Sequence, residues 1–227
     1  MKTKIQCSSV LTACIIVLLS LVLAQSQERG RGYFDADLGG SIMPDADFEE
    51  YFGNSIASDS KVEFDPGIRF GLRGGYGVTD WFAAEVETGL MVNSIDSITG
   101  ASEADAILSN IPFLVNARFQ LSRYDRLTPY FGVGLGFSVP VLDADDIVIN
   151  GGWLEGTMST IVFAYQGFAG LRYKINDTMG LSLEYRYFAT TDPEWEAEVI
   201  VGPAGSDNIR FGRIQSHVFS IVFQFKL

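Results

Sequence analysis

The sequence predicts an all-β fold: an eight-stranded antiparallel up-and-down transmembrane β-barrel. Eight segments of about ten residues or more alternate between apolar and polar side chains, as strands do when their two faces meet different surroundings. Each segment has the length that a tilted strand needs to cross a bilayer. The connections between them are long and short in turn, which is typical of a barrel with tight turns at one end.

The predicted strands cover the chain from residue 33 to its last residue. They are Tyr33–Ile42, Gly67–Val78, Trp81–Val92, Asn110–Leu121, Leu127–Val141, Ser159–Ile175, Thr178–Ala189 and Arg213–Leu227. The sixth and seventh form the clearest pair, because a turn at Asn176-Asp177 joins them and one face stays wholly apolar. The last strand alternates just as regularly, with Phe219, Ile221, Phe223, Phe225 and Leu227 on one face.

The other strands divide in the same way into an apolar and a polar face. The first places Asp35 and Asp37 opposite its apolar residues, and the third places Glu85 and Glu87 there. In the fourth, Arg118 lies opposite the apolar residues. Glycine recurs on the polar faces of the second and fifth strands, at Gly71, Gly75, Gly77, Gly132, Gly134 and Gly136.

The connections predict which end of the barrel is which. The turns Thr79-Asp80, Ser122–Arg126 and Asn176-Asp177 are short, whereas four long loops span roughly 43–66, 93–109, 142–157 and 190–211. These loops hold 19 of the chain's 28 acidic residues and only two basic ones, Lys61 and Arg210. The net charge of −12 and this acidity argue against nucleic-acid binding, which needs a basic surface.

Two surroundings suit the apolar faces: the core of a soluble, lipocalin-like barrel or the lipid of a membrane. Glycine weakens strands, and a water-facing surface has no reason to prefer it. A narrow lumen does, because small residues make room for long charged neighbours. The glycine-rich polar faces therefore predict that the apolar faces point outward to lipid. Closure of the barrel also removes the sheet edges, which lipid would leave without hydrogen-bond partners.

The N-terminus predicts export. Lys2 and Lys4 precede a mostly apolar run that ends in a cleavage sequence at Ala24, so residues 1–24 are predicted to be a signal peptide. Residues 25–32 would be a short periplasmic segment and 33–227 the barrel domain. A lipoprotein signal ending at Cys14 is the alternative, but the apolar run follows that cysteine rather than preceding it. Both cysteines lie in the signal, so the mature chain offers no thiolate ligand or disulfide.

The inward positions collect charges of both signs, and these predict an ion-pair network in the lumen. Its members are Arg69, Arg73, Glu85, Glu87, Arg118, Arg172, Lys174, Glu184 and Arg186. The Thr79-Asp80 turn sets Arg73 opposite Glu87, with Glu85 on the diagonal, and the Asn176-Asp177 turn sets Arg172 diagonal to Glu184. Unpaired buried charges are costly, so the charges should pair. Either a narrow ion path or a filled polar core fits this network, and an eight-stranded interior is only wide enough for side chains to fill.

Three stretches resemble a known family: TPYFGVGLGF at 128–137, YGVTDW at 76–81 and GLRYKINDTMGLSLEYRYF at 170–188. They resemble the OmpA-like and opacity-type outer-membrane β-barrel superfamily, over nearly all of the mature chain. The resemblance implies an eight-stranded barrel in the outer membrane of a Gram-negative-type bacterium, serving in envelope integrity, adhesion, host interaction or weak pore formation. The last strand is similar to the signal read by barrel-assembly machinery, although it ends in Leu227 rather than phenylalanine.

The function predicted is a non-enzymatic surface role through the acidic loops, with a small porin or ion channel as the alternative. A lipid-modifying enzyme is a further alternative, centred on His217, but Ser216 beside it should point to the opposite face. No cofactor or metal is expected. Trp153 and Trp195 either anchor an external partner or pack the loops together. The expected partners are outer-membrane lipid and lipopolysaccharide, the assembly machinery and an extracellular partner, with the protein a monomer.

Overall fold

The computed structural model describes residues 32–51, 54–55, 59–121, 126–149, 152–196, 200–201 and 208–227. The predicted signal peptide, 1–24, and residues 25–31 of the predicted periplasmic segment lie outside the described residues, and so does most of the 122–126 turn. No helix within the described ranges has the length and apolarity of a membrane-spanning segment.

The described chain forms one sheet of fifteen antiparallel strands, which confirms the all-β antiparallel prediction. They are β1 (Gly32–Ile42), β2 (Ala46–Tyr51), β3 (Asn54–Ser55), β4 (Lys61–Phe64), β5 (Gly67–Gly77), β6 (Phe82–Ile98), β7 (Ala101–Gln120), β8 (Leu127–Ile149), β9 (Gly152–Ser159), β10 (Val162–Lys174), β11 (Met179–Thr190), β12 (Glu194–Glu196), β13 (Ile200–Val201), β14 (Asn208–Phe211) and β15 (Gln215–Lys226).

The long strands pair in a closed circuit. It runs β1, β5, β6, β7, β8, β10, β11, β15 and back to β1, so the first and last strands are hydrogen-bonded neighbours. These eight strands coincide closely with the eight predicted segments. The sheet contains more strands than predicted because shorter ones extend it beyond one end of this circuit. Closure leaves no open edge around the circuit.

The tight turns set the strand register as predicted. Val78 N–H donates to the carbonyl of Phe82 at 3.0 Å, and five residues further along each strand Arg73 stands opposite Glu87. Lys174 stands opposite Gly180 across the turn at Asn176. That turn is held by Asn176, whose Oδ1 accepts the N–H groups of Thr178 and Met179 at 2.9 and 2.8 Å. Short turns therefore determine which side chains share a level in the barrel.

The outer wall carries the apolar faces. On β8, Phe131, Val133, Leu135 and Phe137 are each about half exposed, while the intervening glycines point inward. Leu183 on β11 and Ile161 beside β10 are each 70% exposed. A contiguous belt of large exposed apolar side chains is unfavourable in water and favourable in lipid.

Two of the predicted long loops are not loops. Residues 93–109 continue β6 and β7, which meet in a turn where Gly100 adopts a φ of 86°, a conformation that glycine tolerates best. Most of 142–157 belongs to β8 and β9. The acidic residues of these segments, such as Asp105 and Asp143, occupy outward positions of continuing strands. Their acidity belongs to a water-facing strand surface, so the prediction of long loops at 93–109 and 142–157 is wrong.

Beyond the membrane belt, the strand extensions enclose a second core. We call this region the cap: residues 43–66, 93–109, 141–160 and 191–214, as far as they are described. Its core is apolar, unlike the barrel interior, and consists of Met43, Phe48, Tyr51, Val62, Ile95, Ile98, Ala106, Leu108, Leu142, Ala144, Ile147, Leu154, Met158, Trp195, Ile209, Phe211 and Ile214. The cap is therefore a folded structure with its own buried hydrophobic cluster.

Candidate functional site in the barrel interior

The inward positions of β1, β5, β6, β7 and β11 bring a set of charged side chains together inside the circuit. Glycines on the facing strands make the room that they need. A Cβ on Gly75 would lie 2.1 Å from Cζ of Tyr33, and one on Gly134 would lie 1.9 Å from Oδ1 of Asn116. The glycine-rich polar faces are thus explained by close approach of bulky polar neighbours.

The upper half of the network centres on Glu87. Its Oε1 accepts from Arg69 Nη2 at 2.5 Å and also pairs with Arg186, and Arg69 Nε reaches Oδ2 of Asp37 at 3.0 Å. Arg186 Nη2 lies 2.7 Å from Oε1 of Glu184. The three acidic groups and two arginines come from four different strands, so these pairs join the wall across the lumen.

The lower half centres on Arg118 and Arg73. Arg118 Nη1 lies 3.1 Å from Oδ2 of Asp35 and 2.9 Å from Oε1 of Glu85. Arg73 Nη2 lies 2.9 Å from Oε2 of Glu184, which connects this half to the upper one, and 3.8 Å from Oδ2 of Asp35. The whole set is therefore one connected ion-pair network.

Neutral polar groups also donate hydrogen bonds to the carboxylates, although Oδ1 of Asp37 and Oε2 of Glu85 accept none from the described residues. Asn116 Nδ2 and Gln166 Nε2 donate to Oε2 of Glu87 at 2.7 and 2.8 Å. The Tyr130 hydroxyl donates to Glu184 at 2.9 Å, and the Tyr33 hydroxyl donates to Glu85 at 2.6 Å. Sequence reasoning missed these partners, although their inward positions on alternating strands were a signal that could have found them.

The structure brings seven of the nine predicted network residues together: Arg69, Arg73, Glu85, Glu87, Arg118, Glu184 and Arg186. Asp35 and Asp37 join them. The Arg172 guanidinium lies over the ring of Tyr130 at 5.1 Å and donates a hydrogen bond to Gln120. It is therefore linked to the network through Tyr130. Lys174 stands apart: its ammonium is largely solvent-exposed and pairs with Asp177 at 2.6 Å in the turn.

The expected diagonal partners are not the observed ones. Glu85 pairs with Arg118, and Arg73 with Glu184, instead of Glu85 with Arg73 and Arg172 with Glu184. In a narrow barrel, a long side chain reaches a carboxylate across the lumen as readily as one on the adjacent strand. Local register alone therefore does not select the partner.

The buried charge of the barrel interior balances. Five arginines, at 69, 73, 118, 172 and 186, face five carboxylates, at Asp35, Asp37, Glu85, Glu87 and Glu184, and all are buried. The side chains of Arg69 and Arg73 are 0% exposed. Charges so far from water are tolerated when they are paired and hydrogen-bonded.

An apolar layer lies directly above the ion pairs. It consists of Met91, Leu114, Ala164, Phe188 and Val218, all between 0% and 3% exposed. Phe188 follows Arg186 by two positions on β11, so its side chain occupies the next inward level. Above this layer, Ser41 bonds to Asn93 and Ser216, and then the apolar core of the cap begins. The interior is filled at each of these levels.

His217 lies on the outer wall, away from the interior. Its Nδ1 is 2.8 Å from the Tyr185 hydroxyl, whereas the Ser216 hydroxyl points inward and lies 2.8 Å from that of Ser41. The adjacent serine and histidine therefore do not contact each other. The described residues contain no group of three or more side chains placed to hold a metal ion.

Trp195 is fully buried in the cap core. Its ring packs edge-on against Phe211 at 5.0 Å, and its Nε1–H donates to the carbonyl of Pro140 at 3.1 Å. The tryptophan therefore packs the cap together and presents no exposed surface, which corrects the alternative of an external anchor. Trp153 belongs to β9, but its side chain lies outside the described part of the chain.

Known proteins share this architecture. The barrel resembles outer membrane protein OprG from Pseudomonas aeruginosa, with a TM-score of 0.60, 16% identity, and coverage of 88% of this chain and 98% of that one. It also resembles outer membrane protein W from E. coli, with a TM-score of 0.51, 16% identity and coverage of 88% and 100%. The Escherichia coli outer membrane protease OmpT matches with a TM-score of 0.50, 6% identity and coverage of 87% and 97%. These likenesses show the fold.

A search among curated protein sequences finds no match. The model of the outer membrane protein beta-barrel domain family matches residues 11–225, nearly the whole sequence, and the family points to the bacterial outer membrane. Together with the closed antiparallel circuit and its apolar outer wall, this match confirms the resemblance seen in the sequence. The chain belongs to the outer membrane protein beta-barrel domain family.

Proposed function

We propose that this protein is a non-enzymatic, non-conducting barrel of the outer membrane that meets external partners through its cap. The observation that carries the proposal is the filled interior, in which an electroneutral ion-pair network is covered by an apolar layer.

The mature protein would begin at Gln25, after removal of the signal peptide. N-terminal sequencing of protein from the membrane fraction tests that start, and an uncleaved Met1 would contradict it.

The filled interior argues against the alternative of a small ion channel. A conducting ion needs a continuous aqueous path, whereas Arg69, Arg73 and Arg186 are at most 1% exposed. Met91 and Phe188 are fully buried in the apolar layer at the next level, where a charge would meet apolar side chains without compensating hydrogen bonds. Passage would require both layers to rearrange together.

Planar-bilayer recordings test this proposal. Wild-type protein is expected to give no steady openings, while the double variant Met91→Ala, Phe188→Ala, which removes the apolar layer, gives more frequent current events. The matched control is Ile161→Ala, which removes a side chain of similar size from the outer wall. Steady, reproducible openings of the wild type, altered by Arg73→Ala, would contradict a closed interior and support the channel.

The cap surface supports contact with a cationic partner. Two of its three described cations are occupied: Lys61 pairs with Asp47, and Arg210 Nε lies 3.0 Å from Oε2 of Glu49. Exposed carboxylates on neighbouring strands, among them Asp105, Asp143 and Glu155, remain on the water-facing side. Such a surface attracts positively charged groups and loses that attraction as salt is added.

Binding of a cationic polymer to cells that display the protein tests the cap surface. Immobilised polylysine should retain wild-type cells more than cells carrying the triple variant Asp105→Asn, Asp143→Asn, Glu155→Asn, and the difference should disappear at about 1 M salt because of screening. Replacing Asp80 and Asp177 with asparagine, at the opposite end of the barrel, is the control. Equal retention of all three cell types would contradict the proposal.

The geometry around His217 supports a non-enzymatic role. A serine nucleophile needs its base within hydrogen-bond reach, and these two side chains point to opposite faces of β15. Cells expressing His217→Ala are expected to show the same lipid A acylation pattern as cells expressing the wild type. A changed pattern would restore the lipid-modifying alternative.

A further inference from the structure

One sector of the outer wall differs from the rest because its outward side chains carry polar groups. On β10, β11 and β15, the outward positions near the cap hold Tyr165, Tyr185, Tyr187 and His217 in place of aliphatic side chains. Tyr187 stands opposite Gly167 on one side and opposite His217 on the other, and His217 stands opposite Ile42. Ile42, which is 53% exposed, lies at the end of β1 where the cap begins. The sector therefore lies where the lipid-facing wall meets the cap.

The polar groups of this sector are bonded into an array. The Tyr185 hydroxyl lies 2.8 Å from Nδ1 of His217, and the Tyr187 hydroxyl donates to Oε1 of Gln215 at 2.8 Å. Tyr165 lies on the neighbouring strand, two residues from Gly167, which stands opposite Tyr187. Ring contacts of 6.1 and 5.5 Å place His217 between Tyr185 and Tyr187. These contacts hold the rings in fixed positions relative to one another.

An exposed cation lies at the edge of this array. Arg213 is exposed and lies two residues before Gln215, the first residue of β15, whose side chain accepts the hydrogen bond from the Tyr187 hydroxyl. Within the described part of the chain, Arg213 forms no ion pair, whereas Lys61 and Arg210, the other cations of the cap, do. On a chain with a net charge of −12, this is an unusual site of attraction for an anion.

A gap in the wall lies beside the tyrosines. A Cβ built on Gly167 would meet no heavy atom within 4 Å, so bare backbone is exposed to lipid there. Packing inside the barrel does not require this glycine, in contrast to Gly75 and Gly134. The next outward residue along β10 is Ala169, whose side chain is also small, and we call the surface over these two residues the notch.

We propose that this sector binds one phosphorylated glycolipid of the outer leaflet, of the lipid A class. The Arg213 guanidinium pairs with a phosphate, Tyr187, Tyr185 and His217 hydrogen-bond and stack on the sugar, and an acyl chain lies over Gly167. Charge-assisted bonds from arginine to phosphate are among the stronger hydrogen bonds of proteins. Tyrosine suits a position with one apolar and one wet side. The rest of the cap surface is acidic and repels phosphate, which gives the sector its selectivity.

Native mass spectrometry of the purified barrel, titrated with bisphosphorylated lipid A, measures this site. Arg213→Gln is expected to weaken the first binding event about fivefold, the effect of one basic residue near a charged membrane surface. The matched control is Arg126→Gln, which removes an exposed arginine at the opposite end of the barrel. Gly167→Leu, which fills the notch, is expected to weaken binding about fourfold, the value of one buried methylene.

Binding of other lipids and of free phosphate tests whether the site recognises a phosphorylated glycolipid, another anionic lipid or a free anion. Lipid A without phosphates lacks the partner of Arg213, so the affinity of the wild type for it should not exceed the affinity of Arg213→Gln for bisphosphorylated lipid A. Millimolar inorganic phosphate should not displace bisphosphorylated lipid A from the wild type. The proposal would be overturned if Arg126→Gln weakened lipid A binding as much as Arg213→Gln does, or if Arg213→Gln left it unchanged. It would also be overturned if the wild type bound phosphatidylglycerol as tightly as lipid A, or if phosphate displaced the lipid. Unchanged binding by Gly167→Leu would overturn the acyl-chain contact.

Discussion

At the scale of single residues, Glu87 has the largest number of polar partners in the barrel interior. Its two oxygens accept from Arg69, Arg186, Asn116 and Gln166. One side chain thus links strands β5, β6, β7, β10 and β11. Removing it leaves two buried cations without their shared counter-ion, and a buried unpaired charge costs more than the lost attraction alone.

Glu87→Ala is therefore expected to lower the free energy of unfolding by about 3–5 kcal/mol, the usual cost of breaking a buried ion pair. Unfolding by guanidinium, measured after refolding into lipid vesicles, gives this difference. Asp177→Ala is the control, because it breaks only the solvent-exposed pair with Lys174 and should leave the free energy of unfolding nearly unchanged. Equal losses in the two variants would contradict the role given to the buried network.

The phenol of Tyr51 predicts that the stability of the cap falls at high pH. Burial raises the pKa of its phenol from 10.0 to about 12, because the phenolate would lose its hydration. The folded state therefore holds this proton more tightly than the unfolded state. The stabilisation is complete below pH 10 and is lost as the pH rises toward 12. Between pH 9 and 12, the guanidinium midpoint of the cap should fall more in the wild type than in Tyr51→Phe, and equal falls would contradict this.

At the scale of elements, the cap strands depend on one buried ring. Trp195, in the three-residue strand β12, packs against Phe211 of β14 and bonds to Pro140 of β8. Strands of two to four residues have too few ladder hydrogen bonds to be stable alone. Side-chain packing against the longer strands therefore holds β12 and β14 in place.

Trp195→Ala should loosen the cap and leave the barrel intact. Truncating a buried tryptophan costs about 3–5 kcal/mol, and here the loss falls mainly on short strands outside the closed circuit. Limited proteolysis should cut the variant between residues 190 and 211 at a much higher rate, while the membrane-embedded fragments remain protected. Trp81→Ala, at an exposed position near a tight turn, is the control and should be cut like the wild type. Faster cutting across the whole barrel would show that cap and barrel unfold together.

At the scale of the whole molecule, closure between the first and last strands decides whether the sheet is a barrel. Leu38 on β1 and Ile221 on β15 stand directly opposite each other, and both side chains point outward. Opposite Cα atoms in antiparallel strands lie about 4.5–5.5 Å apart, within the range that a disulfide spans. The chain's own cysteines, Cys7 and Cys14, lie in the predicted signal peptide, so the mature protein would contain only engineered thiols.

The double variant Leu38→Cys, Ile221→Cys is expected to form a disulfide in the membrane, visible as a band of altered mobility on boiled, non-reducing gels. The pair Leu38→Cys, Phe225→Cys is the control, since Phe225 stands opposite Phe34, four residues from Leu38. Cross-linking of the control but not of the matched pair would contradict the observed register. Cross-linking between chains would contradict closure within one molecule.

The sequence predicted the barrel strands well because strand patterns are local. Alternation with period two shows the two faces of each strand, and a short turn such as the one at Thr79-Asp80 sets the register of its neighbours. Its main error lay in 93–109 and 142–157, where composition was weighed above alternation. Ile95, Leu108 and Leu142 continue the inward pattern there, and the acidic residues are the outward half of it.

The sequence by itself determined the faces of the strands, the inward set of charges and the apolar belt that requires lipid. Only the tertiary structure decided which charges meet: Arg73 with Glu184, 111 residues apart, and Arg118 with Asp35, 83 apart. It also decided that Trp195 is buried and that an apolar layer covers the ion pairs. The physical reason is that faces follow from the local geometry of each strand, whereas partners across a lumen depend on the closure of the whole circuit.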